Sequence, residues 1–134
     1  MEERELLARV AAFEDASLPV AAWNHAAHLV AALVYVRRYG RGGSYVLLGN
    51  ALRRYIGAVG GQPSAFHETV TRAWIDVVAA FDAERPDAPL TDAAEALVAR
   101  CSGKDYLHRY YSPEVLASEE ARARWVEPDR TPIG

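Results

Sequence analysis

The stretch VAAWNHAAHLVAALVYVRRYGRGG, residues 20–43, decides how this chain folds. Apolar residues such as Val30, Leu33 and Val34 recur in it at helical spacing, which predicts an apolar helix over residues 20–38. Two arginines and Gly40 end this helix, because cations favour the negative end of the helix dipole and glycine commonly follows the last turn. Residues 40–43 are then predicted to form a glycine-rich turn into the next helix.

Helical patterns continue on both sides of this stretch. Residues 2–14 carry leucines, a valine and a phenylalanine at three- and four-residue spacing after three glutamates, which predicts a first amphipathic helix. Further helices are predicted over residues 44–58 and 64–84, because glycine- and proline-containing segments follow them. The chain therefore reads as helical from its start to about residue 84.

The last third of the chain has weaker helical signals. Asp92 and Glu95 are spaced like a capping box and predict the start of a fifth helix. Ser112, followed by proline and glutamate, predicts another helix start. The tail, about residues 112–134, contains several prolines and Trp125, so we expect it to pack irregularly across the bundle.

Composition predicts one all-α domain, residues 1–134, built as a compact bundle of about five helices with an irregular C-terminal tail. A chain of 134 residues with 51% hydrophobic residues can bury one core. The net charge of −3 and the absence of a basic stripe argue against nucleic acid and membrane surfaces as partners. A single cysteine, Cys101, and no leader-like segment favour a cytoplasmic location. The small size and aromatic content leave room for a homodimer.

Two histidine clusters carry the chemistry of the sequence: WNHAAH at residues 23–28 and FHET at residues 66–69. His25 and His28 are three residues apart, so a helix places both imidazoles on one face. His67 is predicted in the first turn of the helix over residues 64–84, on an apolar face that could pack against them. Because one cation can satisfy three imidazoles at once, the pattern predicts a mononuclear metal site of His25, His28 and His67.

The neighbours of this predicted site supply candidate functional groups. Glu68 and Glu14 are the carboxylates that could act as general base or join the ligands. The metal would be a divalent ion such as Fe, Zn, Ni or Mn. The predicted substrate pocket is formed by aromatic and hydroxyl side chains, namely Trp23, Tyr35, Thr71 and Trp74. The arginine pairs at residues 37–38 and 53–54 are interpreted as solvated helix charges rather than an anion clamp.

Three functions remain open from the sequence. In the first, a metal-dependent enzyme acts on a small-molecule substrate by Lewis-acid and general-base chemistry, which covers hydrolysis, dehydration, isomerisation and lyase reactions. In the second, a carboxylate joins two histidines around Fe(II) and the protein is a non-haem oxygenase. In the third, the chain is a non-catalytic helical binding module with structural histidines, which predicts no cavity beside them.

The motifs WNHxxH, FHETxT and the tail string WVEPD resemble a family of small bacterial proteins of all-helical type. The resemblance covers residues 13–74 and the tail, and it implies neither a substrate nor a metal. The chain departs from two helical metal families. Diiron carboxylate bundles need paired Glu-x-x-His motifs, which are absent, and the HExxH peptidase motif fails because Thr71 stands four residues after His67.

Overall fold

The computed structural model describes residues 1–103 and 105–134, which form six α-helices and no strand. The helices are α1 (Glu3–Glu14), α2 (His25–Ala58), α3 (Glu68–Ala83), α4 (Leu90–Cys101), α5 (Pro113–Leu116) and α6 (Glu119–Ala123). Short 3₁₀ turns cover Val20–Ala22, Pro63–Ala65 and Tyr106–Arg109. The predicted all-α class with an irregular tail is confirmed. None of the described helices combines the length and apolar composition that crossing a bilayer requires.

A sharp bend at Gly40 turns α2 into a helical hairpin. Gly40 has φ 74° and ψ 176°, a conformation that is open almost only to glycine because it lacks a Cβ. The bend folds the chain back on itself, since the ring centroids of Trp23 and Tyr55 lie 5.6 Å apart. The two helices predicted from the sequence are therefore present. A single residue replaces the predicted four-residue turn, and residues 41–43 are helical.

Helix starts differ from several predictions. α2 begins at His25 rather than residue 20, because the Asn24 side chain accepts a hydrogen bond from the Ala27 N–H at 2.9 Å and so caps the helix. α3 begins at Glu68, after a separate 3₁₀ turn. α4 begins at Leu90 without a side-chain cap, so the predicted capping box at Asp92 is wrong and Asp92 lies within the first turn.

The core forms around α2, and the most extensive helix contact joins it to α3. α1 buries Leu6, Val10 and Phe13, as its spacing predicts. Each such side chain contributes about 1.5–3 kcal/mol when fully buried. The Phe13 ring stacks on Trp23 with centroids 4.1 Å apart, which fixes the segment that leads into α2.

Hydrogen bonds tie the C-terminal tail to α3. The buried Thr69 hydroxyl donates to the Arg124 carbonyl at 2.7 Å and accepts from the Val126 N–H at 3.1 Å. The Tyr111 hydroxyl donates to the Val126 carbonyl at 2.6 Å. Trp125 lies beside them with its ring edge-on to Tyr111. We call Thr69, Tyr111, Arg124 and Val126 the tail seam.

Candidate functional site: a cavity lined by three histidines

A cavity of about 350 Å³ lies between the two halves of α2 and the start of α3. Residues on both sides of the Gly40 bend line it, so the hairpin creates the space. Its aromatic and polar lining consists of Trp23, His25, His28, Phe66, His67, Thr71 and Trp74, and the remaining lining residues are aliphatic. We call this space the histidine cavity. Its volume lies within the range of small-molecule sites, about 300–1,000 Å³.

Both ring nitrogens of His67 are committed to backbone groups. Nδ1 accepts from the Val70 N–H at 3.0 Å, so His67 is the N-cap of α3 rather than a residue of its first turn. Nε2 lies 2.8 Å from the Leu116 carbonyl oxygen, which can only accept, so Nε2 carries the proton. This one tautomer satisfies both contacts and ties α3 to the end of α5.

His25 makes one such bond. Its Nε2 donates to the Cys101 carbonyl at 2.9 Å, at the last residue of α4. The edge of the ring packs against Trp74, with centroids 4.9 Å apart. In the neutral ring Nδ1 is left as an acceptor. Cys101 itself is fully buried, and burial raises the pKa of its thiol. Cys101 is therefore a packed thiol of the core.

His28 differs from the other two histidines because its ring nitrogens have no hydrogen-bond partner among residues 1–103 and 105–134. The ring lies against Trp23, with centroids 4.1 Å apart and planes inclined by 30°, and the residue is exposed where it lines the cavity. Partial desolvation by the surrounding side chains, followed by the nearby His25, lowers the pKa of His28 to about 4. His28 is therefore a neutral imidazole at pH 7.

These three imidazoles line one cavity, and they differ in how many of their ring nitrogens are free. His67 has no free lone pair, and His25 uses one nitrogen on a carbonyl. In the part of the chain that the structure describes, no three His, Cys, Asp or Glu side chains are arranged to hold a metal ion. The metal site of His25, His28 and His67 stays a prediction. His67 would join it through Nδ1 by giving up the bond from the Val70 N–H, while Nε2 keeps its bond to the Leu116 carbonyl.

The predicted carboxylates lie outside the cavity. Glu14 accepts a hydrogen bond from the Tyr35 hydroxyl at 2.5 Å, and burial followed by Glu14 raises the pKa of Tyr35. Tyr35 is seven residues after His28, about 10 Å further along the helix, and it does not line the cavity. Glu68 pairs with Arg53 at 3.2 Å. Of the predicted pocket residues, Trp23, Thr71 and Trp74 do line the cavity.

Sequence reasoning missed much of the apolar cavity wall, including Leu48, Leu52, Ile56 and Phe66. The first three come from the second half of α2, at four-residue spacing. That stripe is visible in the sequence, and it marks a helix face that must pack against something. What the sequence hides is the single-residue bend that brings this stripe opposite His25 and His28.

A second concave surface, a groove of about 380 Å³, lies between α1, the start of α2 and α4. Its walls include Leu6, Val10, Ala94 and Val98, with Arg9 and Glu95 among the lining residues. The two volumes are too similar to decide between the sites. The histidine cavity brings more aromatic faces together, and aromatic and apolar walls with a few polar groups are characteristic of ligand sites.

The histidine cavity can hold a flat, largely apolar molecule and offer it a few polar contacts. Trp23 and Trp74 supply aromatic faces, Thr71 a hydroxyl, and His28 a neutral ring that can both donate and accept. No protein-family model, curated protein or solved structure matches this chain.

Proposed function

We propose that this protein binds a small, flat, mostly apolar molecule in the histidine cavity. The carrying observation is the cavity itself, where an unpartnered neutral His28 lies among aromatic and apolar walls. Sites of this kind are lined mainly by apolar residues with a few polar groups that orient the ligand. The single, buried Cys101 is compatible with a cytoplasmic location.

Each histidine has a different task in this proposal. His67 and His25 hold the walls through their bonds to the carbonyls of Leu116 and Cys101. His28 contacts the ligand, because its nitrogens are not used within the fold. The function corresponds to the third sequence prediction, a non-catalytic helical module. It differs in one respect, since that prediction expected no cavity beside the histidines.

Binding is favoured over catalysis by the placement of the acid and base groups. Glu14 and Glu68 do not line the cavity and are bound to Tyr35 and Arg53. A base with a pKa of about 4 accepts protons weakly at neutral pH, so His28 is better suited to a hydrogen bond than to general-base catalysis.

The test uses N-phenylnaphthylamine, an uncharged fluorescent probe of apolar sites. Wild-type protein should bind it, and Thr71→Phe, which fills the histidine cavity, should weaken binding at least about tenfold by removing space for the rings. Thr91→Phe is the matched control, because Thr91 lines the second groove instead. Circular dichroism and thermal unfolding establish that both variants fold. Loss of binding in Thr91→Phe alone, or no binding by wild type, would overturn the proposal.

A metal-dependent enzyme is the second candidate, because three imidazoles do line one cavity. This candidate includes both metal-dependent functions predicted from the sequence, the Lewis-acid enzyme and the Fe(II) oxygenase. Elemental analysis of untagged protein, beside the His25→Ala/His28→Ala double variant, is the test. Near-stoichiometric metal that the double variant loses would establish this candidate. No metal after anaerobic reconstitution with Fe(II), Zn(II), Ni(II) or Mn(II) would exclude it.

A further inference from the structure

A further pocket, of about 490 Å³, adjoins the histidine cavity. It is distinct from the groove between α1, α2 and α4, and we call it the second pocket. Ile56 and Phe66 line both spaces, so these two side chains form the boundary between them. The histidine cavity is aromatic and apolar, whereas Arg53 and Arg122 line the second pocket. A ligand that extends past Phe66 would leave the aromatic walls and meet two guanidinium groups.

The positive charge of this second pocket is only partly neutralised. The Arg53 guanidinium lies 4.0 Å above the Phe66 ring and pairs with Glu68 at 3.2 Å. Arg122 donates to the neutral Ser64 carbonyl, and no carboxylate of a described residue pairs with it. The other residues that line the pocket are uncharged. Its surroundings therefore favour an anion.

We infer that the ligand is an amphipathic anion whose flat apolar body lies in the histidine cavity and whose carboxylate, sulfonate or phosphate head reaches Arg122 and Arg53. This inference rests on the proposed function and names its ligand class. The sequence alone predicted Arg53 to be a solvated helix charge. Its position over Phe66, at the boundary of the cavity and beside Arg122, gives it a different role. Guanidinium groups match such heads through charge-assisted hydrogen bonds.

Two probes with one ring skeleton test the inference. Anilinonaphthalene sulfonate carries an anionic head that N-phenylnaphthylamine lacks. The ratio of the two affinities in wild-type protein should favour the sulfonate, and Arg122→Gln should lower that ratio about threefold to tenfold, as expected for loss of a charge-assisted contact in a partly exposed site. Arg53→Gln should lower it less, because Glu68 already neutralises part of the Arg53 charge. The N-phenylnaphthylamine affinity of each variant is the reference in this ratio, so a change in cavity shape that affects both probes equally cancels.

Two further variants sharpen the test. Arg54→Gln removes a charge from the neighbouring helix position, which lines neither space, and should leave the ratio unchanged. Glu68→Gln should raise the ratio, because it frees Arg53 and removes a repelling charge near the head. This opposite sign is not expected if the arginines act only by stabilising the fold.

The outcomes separate the two proposals. Binding of N-phenylnaphthylamine with an affinity ratio that is indifferent to Arg122 and Arg53 would overturn this inference and leave the proposed function standing. Absence of binding of both probes would overturn both. If the inference holds, displacement of the sulfonate probe by naphthoate and by naphthyl phosphate shows whether the head is a carboxylate or a phosphate.

Discussion

The histidine cavity and the tail seam both border α3, yet they treat polar groups in opposite ways. In the seam, the Thr69 hydroxyl is fully buried and makes two hydrogen bonds with the tail backbone. In the cavity, Thr71 and His28 make no side-chain hydrogen bond with a described residue. A buried polar group without a partner costs about 1–3 kcal/mol, so a fold keeps such groups where water or a ligand can reach them. The seam therefore stabilises the fold, whereas the cavity leaves polar groups open, as the proposed binding function requires.

The largest expected effect comes from the two threonines, which lie two residues apart on α3. Thr69→Val should lower the free energy of unfolding by about 2–4 kcal/mol, because it leaves the Arg124 carbonyl and the Val126 N–H without their partner. Thr71→Val, the same chemical change at the cavity wall, should cost less than about 1 kcal/mol. Urea denaturation at pH 7 measures both. Equal losses would mean that the two regions do not differ as described.

The histidines extend the comparison at a smaller magnitude. His67→Ala should destabilise the protein by about 1–3 kcal/mol, because it removes the N-cap of α3 and the bond to Leu116. His67→Asn should recover part of the loss, since asparagine caps helices but is too short to reach the Leu116 carbonyl. His28→Ala should change stability by less than His67→Ala does.

Denaturation of the three histidine variants under one condition checks this order. A larger loss in His28→Ala than in His67→Ala would contradict it, and would place His28 among the residues that hold the fold. Equal stability of His67→Asn and His67→Ala would show that the cap contributes little.

The helical content of this chain is predictable from local sequence, because its signals act over one or two turns. The spacing of Leu6, Val10 and Phe13 identified α1. Ser112 identified the start of α5, where its hydroxyl accepts a hydrogen bond from the Val115 N–H and caps the helix. The capping box predicted at Asp92 is wrong because α4 begins two residues earlier, at Leu90, directly after Pro89. Local patterns fix the presence of helices better than their first residues.

The site was predictable only in part, because its members meet through long-range packing. The clustering of His25, His28 and His67 identified three residues of one cavity, and Trp23, Thr71 and Trp74 line it too. The contacts of the His25 and His67 rings with the backbone carbonyls of Cys101 and Leu116 were not predicted. Carbonyl partners carry no sequence signal, since every residue has one. That Arg122 and Arg53 line one pocket was not predictable from local patterns, because they lie 69 residues apart in the sequence.

Lowering the pH should reduce the stability that His28 contributes, which distinguishes it from the hydrogen-bonded groups of the tail seam. Its pKa is about 4 in the folded protein and about 6.5 when unfolded, so between these values the unfolded chain binds a proton that the folded chain does not. Stability from this group is fully present above pH 6.5 and is lost as the pH falls towards 4. The urea midpoint of wild type should therefore drop more between pH 7 and pH 4.5 than that of His28→Gln.

An NMR titration of the four histidines in the sequence measures the pKa of His28 independently. The resonance that is absent from His28→Gln should titrate near pH 4. A midpoint near 6.5 for that resonance would mean that the cavity wall does not desolvate the ring.

Glu68 should give the smallest effect on stability, and it sharpens the comparison because it belongs to neither region. Its carboxylate pairs with a half-exposed arginine, and exposed ion pairs contribute about 0–1 kcal/mol since water solvates both charges well. It also lies in the first turn of α3, where a negative charge adds a few tenths of a kcal/mol by its interaction with the helix dipole. Glu68→Gln should therefore lower the free energy of unfolding by less than about 1 kcal/mol, and high salt should shrink the difference further because it screens both interactions.

N-phenylnaphthylamine affinity should not change, because Glu68 does not line the histidine cavity. A loss of more than about 2 kcal/mol would mean that Glu68 helps to hold the cavity wall. That result would bring back the role beside His67 that the sequence first predicted for it.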